Sequence, residues 1–259
     1  MGKVKIVLIG GGSYSWGPAV IGNILNNTYL NGSQVVLHDL DEEALEMTYC
    51  LALQSVEATK SITQFSRTMV LEEALDGADY VVVTISTGGL PAMRFDLEIP
   101  ARFGICQTVG DTVGPGGALR TLRNVPVFLH LGLTMERYCP QAWMLNCSNP
   151  LSTLTRVVNK ETSIRAIGLC HGVVGQVRLL AEFFERPLAA CSYVNTGIDH
   201  CAWLTQLSLD GCQVSDLLLE KGIDRWLALA PTEAAADTVF GALYGTRCGL
   251  QLGRLLGAL

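Results

Sequence analysis

KVKIVLIGGGSYSW, residues 3–16, joins a short β-branched run to three consecutive glycines. The run KVKIVLIG (3–10) is almost continuously apolar after Lys5, the pattern of a strand buried on both faces. Gly10, Gly11 and Gly12 turn the chain, and the apolar residues of GGGSYSWGPAVIGNILNN then recur at helical spacing. Glycines in such a turn let the backbone approach a pyrophosphate. The helix N-terminus that follows, with Ser13 at its approach, favours negative charge. The G-x-G-x-x-G fingerprint is imperfect, because its sixth position is Ser15.

The pattern repeats outward. SQVVLHDLD (33–41) reads as a second strand ending in acids, followed by a helix from about Asp41 to Thr59. Asp39 closes that strand, where an acid would bind the adenosine ribose hydroxyls and favour NAD over NADP. The bland alternative is a tight βα turn with Asp39 capping the next helix. ADYVVVTIST (78–87), QAWMLNCSNP (141–150) and SIRAIGLCHG (163–172) read as three further strands. Strands separated by helix-length segments predict an α/β fold, a Rossmann-like doubly wound parallel sheet. From Ser192 the text SYVNTGIDHCAWLTQLSLDGCQVSDLL alternates like strands, with a hairpin signal at Asp210–Gly211. The expected organisation is an NAD-binding domain over 1–191 and, over 192–259, part of an α+β domain for substrate, metal and oligomerisation. Leu217 to Leu259 reads as mostly helical, and its uncapped end GRLLGAL reads as cut.

Composition bounds the function. The chain has 259 residues, 49% hydrophobic and 16% charged, with a formal net charge of −6. These values suit a globular protein and argue against a nucleic-acid or anionic-membrane surface. No apolar run is long enough to span a bilayer, and the opening lacks a signal-peptide pattern. Nine scattered cysteines without CxxC pairs fit reduced thiols, and hence a cytoplasmic protein, better than a disulfide framework.

Ligands in doubly wound sheets bind beyond the carboxyl ends of the strands. Asn146 and Asn149 of NCSNP sit at one such end, and Cys170 and His171 of GLCHG at another. His200 follows in NTGIDH. A thiolate and an imidazole can hold a divalent transition metal with positions left open for substrate oxygens. On spacing alone, however, Cys170 reads as a packed small hydrophobe ahead of a ligand. Asn149 alone reads as a helix N-cap, with Pro150 at the first helical position.

Taken in order, IGGGSYSW, LHDLDEEAL, RFDLEIPARFGI, GDTVGPGGALRTLRNVPV, NCSNP, GLCHG and GIDH resemble glycoside hydrolase family 4 over essentially the whole chain. These are NAD- and metal-dependent glycosidases outside the two-carboxylate mechanism. The resemblance implies Cys170 and His200 as ligands, usually for Mn²⁺, and Asn146 beside the nicotinamide. It also implies Asn149, His171, Asp111 and Arg94 around the sugar. His171, where members acting on 6-phosphorylated sugars carry Asn, implies an unphosphorylated α-hexoside or α-hexuronide, with α-galacturonide first. The implied reaction starts with NAD⁺ taking hydride from C3 while the metal polarises the C2 and C3 oxygens. Loss of the C2 proton, elimination of the glycosidic oxygen, water addition and return of the hydride follow. The sequence departs from the family at Asp199, where Asn is usual, and the C2 base is expected beyond residue 259. A homodimer or homotetramer is expected.

Two alternatives share the fold. One is an NAD-dependent 2-hydroxy acid dehydrogenase of the lactate/malate type, for which Arg94, Arg120 or Arg156 could hold a carboxylate. No histidine lies in a motif suited to it. The other is a truncated, non-catalytic NAD-binding module.

Overall fold

The computed structural model describes residues 4–106 and 112–221. The chain divides into two compact units, Met1–Leu169 and Cys170–Leu259.

The first unit runs β1 (Lys5–Ile9), α1 (Trp16–Leu25), β2 (Gln34–His38), α2 (Glu42–Thr59), β3 (Gln64–Thr68), α3 (Leu71–Leu75), β4 (Tyr80–Val83), α4 (Gly89–Ala101), α5 (Gly114–Tyr138), β5 (Trp143–Asn146), α6 (Leu151–Glu161) and β6 (Arg165–Gly168). Its strands form one six-stranded sheet in the order β3-β2-β1-β4-β5-β6, with every pair parallel. This is the doubly wound order with its reversal between β1 and β4. Because successive side chains leave a strand on opposite faces, β1 feeds two cores. Val7 and Ile9 pack with Phe128, Leu131 and Met135 of α5 and with Leu154 and Val158 of α6. Ile6 and Leu8 pack with Ile21 and Ile24 of α1 and with Leu45 and Ala52 of α2. Helix α2 starts at Asp41, whose carboxylate accepts the Ala44 N–H at 3.0 Å, with Glu42 and Glu43 in the first turn.

Strand β3 was not among the strands expected from sequence. Its residues QFSRT bury only Phe65, because the strand closes one edge of the sheet and pairs only with β2. An edge strand with one buried side chain carries little of the apolar signal that marks the central strands.

The second unit contains α7 (Gly172–Phe183), β7 (Cys191–Ile198), β8 (Cys201–Leu209), β9 (Cys212–Gln213) and α8 (Val214–Lys221). The three strands form an antiparallel sheet in chain order. Leu180, Ala181 and Phe184 pack with Leu209 and Val214, so α7 shares a core with the strands that follow it. The division between units therefore falls before α7, earlier than the change in sequence character at Ser192. Asp210 (φ 49°) and Gly211 (φ 82°) form the β8–β9 turn, as the Asp-Gly pair predicts. Of the segment read as helical, α8 lies within the described residues and everything after Lys221 lies outside them. Among the described residues, no helix is long and apolar enough to cross a membrane.

Candidate functional site

The glycine turn lies beyond the carboxyl end of β1, at the reversal of strand order. Each of its three glycines is required by crowding. A Cβ at Gly10 (φ 91°) would lie 2.8 Å from the Thr84 carbonyl oxygen, and one at Gly11 would lie 2.9 Å from the His38 nitrogen. At Gly12 the neighbours would be Ala44 Cβ at 2.9 Å and an Asp39 carboxylate oxygen at 3.0 Å. The Gly10 and Gly11 N–H groups both donate to the His38 carbonyl, at 2.9 and 2.8 Å. Ser13 Oγ accepts the Trp16 N–H at 3.1 Å and so orders the entry to α1. The Asp39 carboxylate accepts from Gly12 N–H at 2.8 Å, Leu40 N–H at 2.7 Å and Asp41 N–H at 3.2 Å. It ties the glycine turn to the end of β2 and is fixed in orientation. The helix cap itself is Asp41.

The missing sixth-position glycine has a substitute. A Cβ at Gly17 would lie 2.9 Å from Thr48 Cγ2, so Gly17 allows α1 to approach α2 closely. Sequence reading passed over Gly17; its signal was a glycine just inside a helix-spaced segment. Three glycines that admit no side chain and a carboxylate fixed at the end of β2 are features that a dinucleotide would fit.

Asn146 at the end of β5 is fully buried. Its amide donates to Thr155 Oγ1 at 3.1 Å, and its carbonyl accepts the Ser148 N–H at 2.8 Å. Ser148 Oγ in turn accepts the Ile85 N–H at 2.8 Å. Asn146 thus holds the NCSNP turn against the ends of β4 and β5. Asn149 Oδ1 accepts the Leu151 N–H at 3.3 Å, and the following peptide bond to Pro150 is cis. Pro150, not Asn149, is the N-cap of α6, which begins at Leu151. The helix start thus falls one residue later than the sequence reading. Arg94 is exposed and paired with Glu98 along α4, at 2.5 Å. Asp111 lies outside the described residues.

A half-buried ion pair escaped the sequence reading. Asp96 on α4 receives both terminal nitrogens of Arg123 from α5, at 3.1 and 2.5 Å, and Arg123 Nε donates to the Thr87 carbonyl at 3.0 Å. The Asp96 hydrogen bond raises the Arg123 pKa. This fork fixes the segment that follows β4, including Gly88, where a Cβ would meet Ala92 Cβ at 2.6 Å.

In the second unit, Cys170 and His200 come together and Asp199 joins them. One ligand atom from each of the three lies within 4.8 Å of the other two. Cys170 is exposed just ahead of α7, and its Sγ accepts the Gly172 N–H at 3.3 Å. His171, also exposed, is the N-cap of α7. Asp199 and His200 are the two residues of the β7–β8 turn, flanked by the pair Ile198 and Cys201. His200 takes the left-handed conformation, φ 57°, and its Nε2 lies 3.8 Å from Asp199 Oδ2. Sulfur, imidazole nitrogen and carboxylate oxygen in one cluster form a donor set suited to a divalent transition metal. Cys139 makes the contrast: burial pushes its thiol up to about 11, as expected of an inert packed cysteine.

Comparison with known proteins identifies the family of the chain. The chain is 38% identical over 214 residues to an alpha-galacturonidase of Bacillus subtilis, an alignment covering 80% of this chain and 47% of that protein. It is 36% identical over 208 residues to an alpha-galactosidase of the same organism, covering 80% and 48%. Among solved structures, a 6-phospho-beta glucosidase from Thermotoga maritima, determined with manganese, NAD⁺ and glucose-6-phosphate, superposes with a TM-score of 0.74 at 25% identity, covering 84% of this chain and 53% of that one. A lactate dehydrogenase from Eimeria maxima, at 16% identity and TM-score 0.63, shares the fold alone. The chain spans about half the length of the curated relatives it matches. The model of family 4 glycosyl hydrolases matches residues 5–185, and the chain belongs to that family.

Proposed function

We propose that this chain supplies the cofactor-binding and metal-binding parts of a glycosidase acting on an unphosphorylated α-hexoside or α-hexuronide. α-Galacturonide ranks first, ahead of α-galactoside and α-glucoside. The observation that carries this reading is the cluster of Cys170, Asp199 and His200 in a chain of the family 4 glycosyl hydrolases. The alpha-galacturonidase and alpha-galactosidase names of its relatives support the substrate class, as does His171 beside Cys170.

Bound NAD⁺ and a divalent metal would supply a reversible oxidation at sugar C3 and polarisation of the C2 and C3 oxygens, which makes the C2 proton acidic and lets the glycosidic oxygen leave. The residues of the chain bind and orient. Gly10, Gly11 and Gly12 leave room for a pyrophosphate at the N-terminus of α1, where the helix dipole favours it. The fixed Asp39 carboxylate accepts the adenosine ribose hydroxyls and repels a 2′-phosphate. Asn146, assigned beside the nicotinamide, also holds the turn that carries Asn149, to which the resemblance gives the sugar hydroxyls. Cys170 and His200 would hold the metal, and His171 would take sugar hydroxyls. None of the described residues is assigned as the base for C2.

Two measurements test the reading. Calorimetry of Asp39→Arg should find weakened NAD⁺ binding with NADP⁺ relatively favoured; unchanged NAD⁺ affinity would remove Asp39 from the site. Assay of the complete gene product on nitrophenyl glycosides, with NAD⁺, Mn²⁺ and reductant, should rank the α-galacturonide first. Preference for a 6-phosphorylated sugar would refute the role given to His171.

A further inference from the structure

We propose that Asp199 is a third protein ligand of the divalent metal, so that the site is Cys-Asp-His and binds its ion before any sugar arrives. The inference rests on the metal reading above and extends it to a residue at which the resemblance implies a neutral asparagine.

Three observations carry it. First, the donor atoms of Cys170, Asp199 and His200 lie mutually within 4.8 Å. Donors about 2.0–2.3 Å from a common ion lie about 3–4 Å from one another, so little adjustment closes the set. Second, the separation between His200 Nε2 and Asp199 Oδ2 is 3.8 Å, too long for a hydrogen bond. At that distance the imidazole nitrogen and the carboxylate oxygen stand as two separate donor atoms of one cluster. Third, the backbone is bent to bring them there. Neighbouring side chains on a strand point to opposite faces. Here the left-handed residue at position 200 ends that alternation at the tip of the hairpin.

The Asp199 side chain is only 4% exposed, and a carboxylate withdrawn from water is stabilised by a cation beside it. A thiolate, a carboxylate and a neutral imidazole together balance the charge of a divalent ion, whereas an asparagine would leave one positive charge over. The added oxygen also makes the donor set harder, which suits Mn²⁺ or Fe²⁺ better than a sulfur–nitrogen pair does.

The test is metal binding by the free protein, without sugar or NAD⁺. Free Mn²⁺ is counted by electron paramagnetic resonance in wild type, Asp199→Asn and His200→Ala, and Co²⁺ at saturation reports the coordination spectrum. Asn suits a hairpin turn, so Asp199→Asn keeps the backbone. The expected result is a loss of Mn²⁺ affinity of about 10–100-fold in Asp199→Asn. Its thiolate-to-Co²⁺ absorption should persist while the ligand-field bands change. Mn²⁺ affinity within twofold of wild type, or an unchanged Co²⁺ spectrum, overturns the role of Asp199. If that occurs while His200→Ala loses the metal, the Cys170–His200 site stands without it. Wild type that takes up no Mn²⁺ overturns both readings.

Discussion

The second unit makes two-residue hairpin turns twice within thirteen residues, with opposite chemistry. The β8–β9 turn uses Asp210 and Gly211, both at positive φ. This is the residue pair that a mirror-type turn prefers. The β7–β8 turn uses Asp199 and His200, and puts an imidazole where glycine or asparagine would be easier. A left-handed non-glycine residue costs on the order of 1–3 kcal/mol and persists where its surroundings over-determine it. One turn is built for the bend. The other tolerates the bend so that its side chains converge with Cys170. Left-handed non-glycine residues also occur at Lys60 and Glu185; at His200 the conformation coincides with the donor cluster.

His200→Gly should separate these demands most sharply. It removes a metal ligand, so Mn²⁺ affinity should fall by about a hundredfold or more, beyond the usual cost of losing an outer-shell partner. The same change relieves the left-handed residue and should stabilise the hairpin by about 1 kcal/mol. A second expectation concerns the thiols. Mn²⁺ should slow alkylation of exposed Cys170 by about tenfold or more, in proportion to its site occupancy. Cys139, with its thiol pushed up to about 11 by burial, should stay unreactive at pH 8 with or without metal; peptide mass spectrometry reads both sites. Gly211→Val is the converse of the histidine change. Nothing lies within 4 Å of a Cβ there, so its cost is backbone strain, about 1–3 kcal/mol, with Mn²⁺ affinity within twofold of wild type. The smallest effect belongs to Asp210→Asn. It keeps a residue that tolerates the turn and removes the 2.9 Å ion pair with Arg186, whose partners are both more than half exposed. Denaturant titration should find a change under about 1 kcal/mol.

What could be read from the sequence follows the range of the interaction. The cofactor turn was legible because strand, glycines and Asp39 signal through local pattern, and the structure ties Asp39 to Gly12 directly. The Asp210–Gly211 hairpin was legible for the same reason. Strand β3 was not, because an edge strand burying only Phe65 has no apolar run. Gly17 was missed because its need comes from Thr48 on the next helix. The Asp96–Arg123 fork joins two helices across twenty-seven positions, and no local period marks it. Asp199 stood out only as a departure from a resembling family. Its meeting with Cys170, far back in the chain, needed the hairpin to form.

Amide hydrogen exchange in the β7–β8 hairpin, with and without Mn²⁺, tests most directly the claim that the Asp199–His200 turn is shaped by a metal. In wild type, Mn²⁺ at a hundred times its dissociation constant should raise local stability by up to about 2.7 kcal/mol. In His200→Gly, the metal-free hairpin should exchange more slowly than wild type, and the same Mn²⁺ concentration should add no more than about 0.4 kcal/mol. A His200→Gly hairpin that exchanges faster without metal and still gains the full protection from Mn²⁺ would contradict the account.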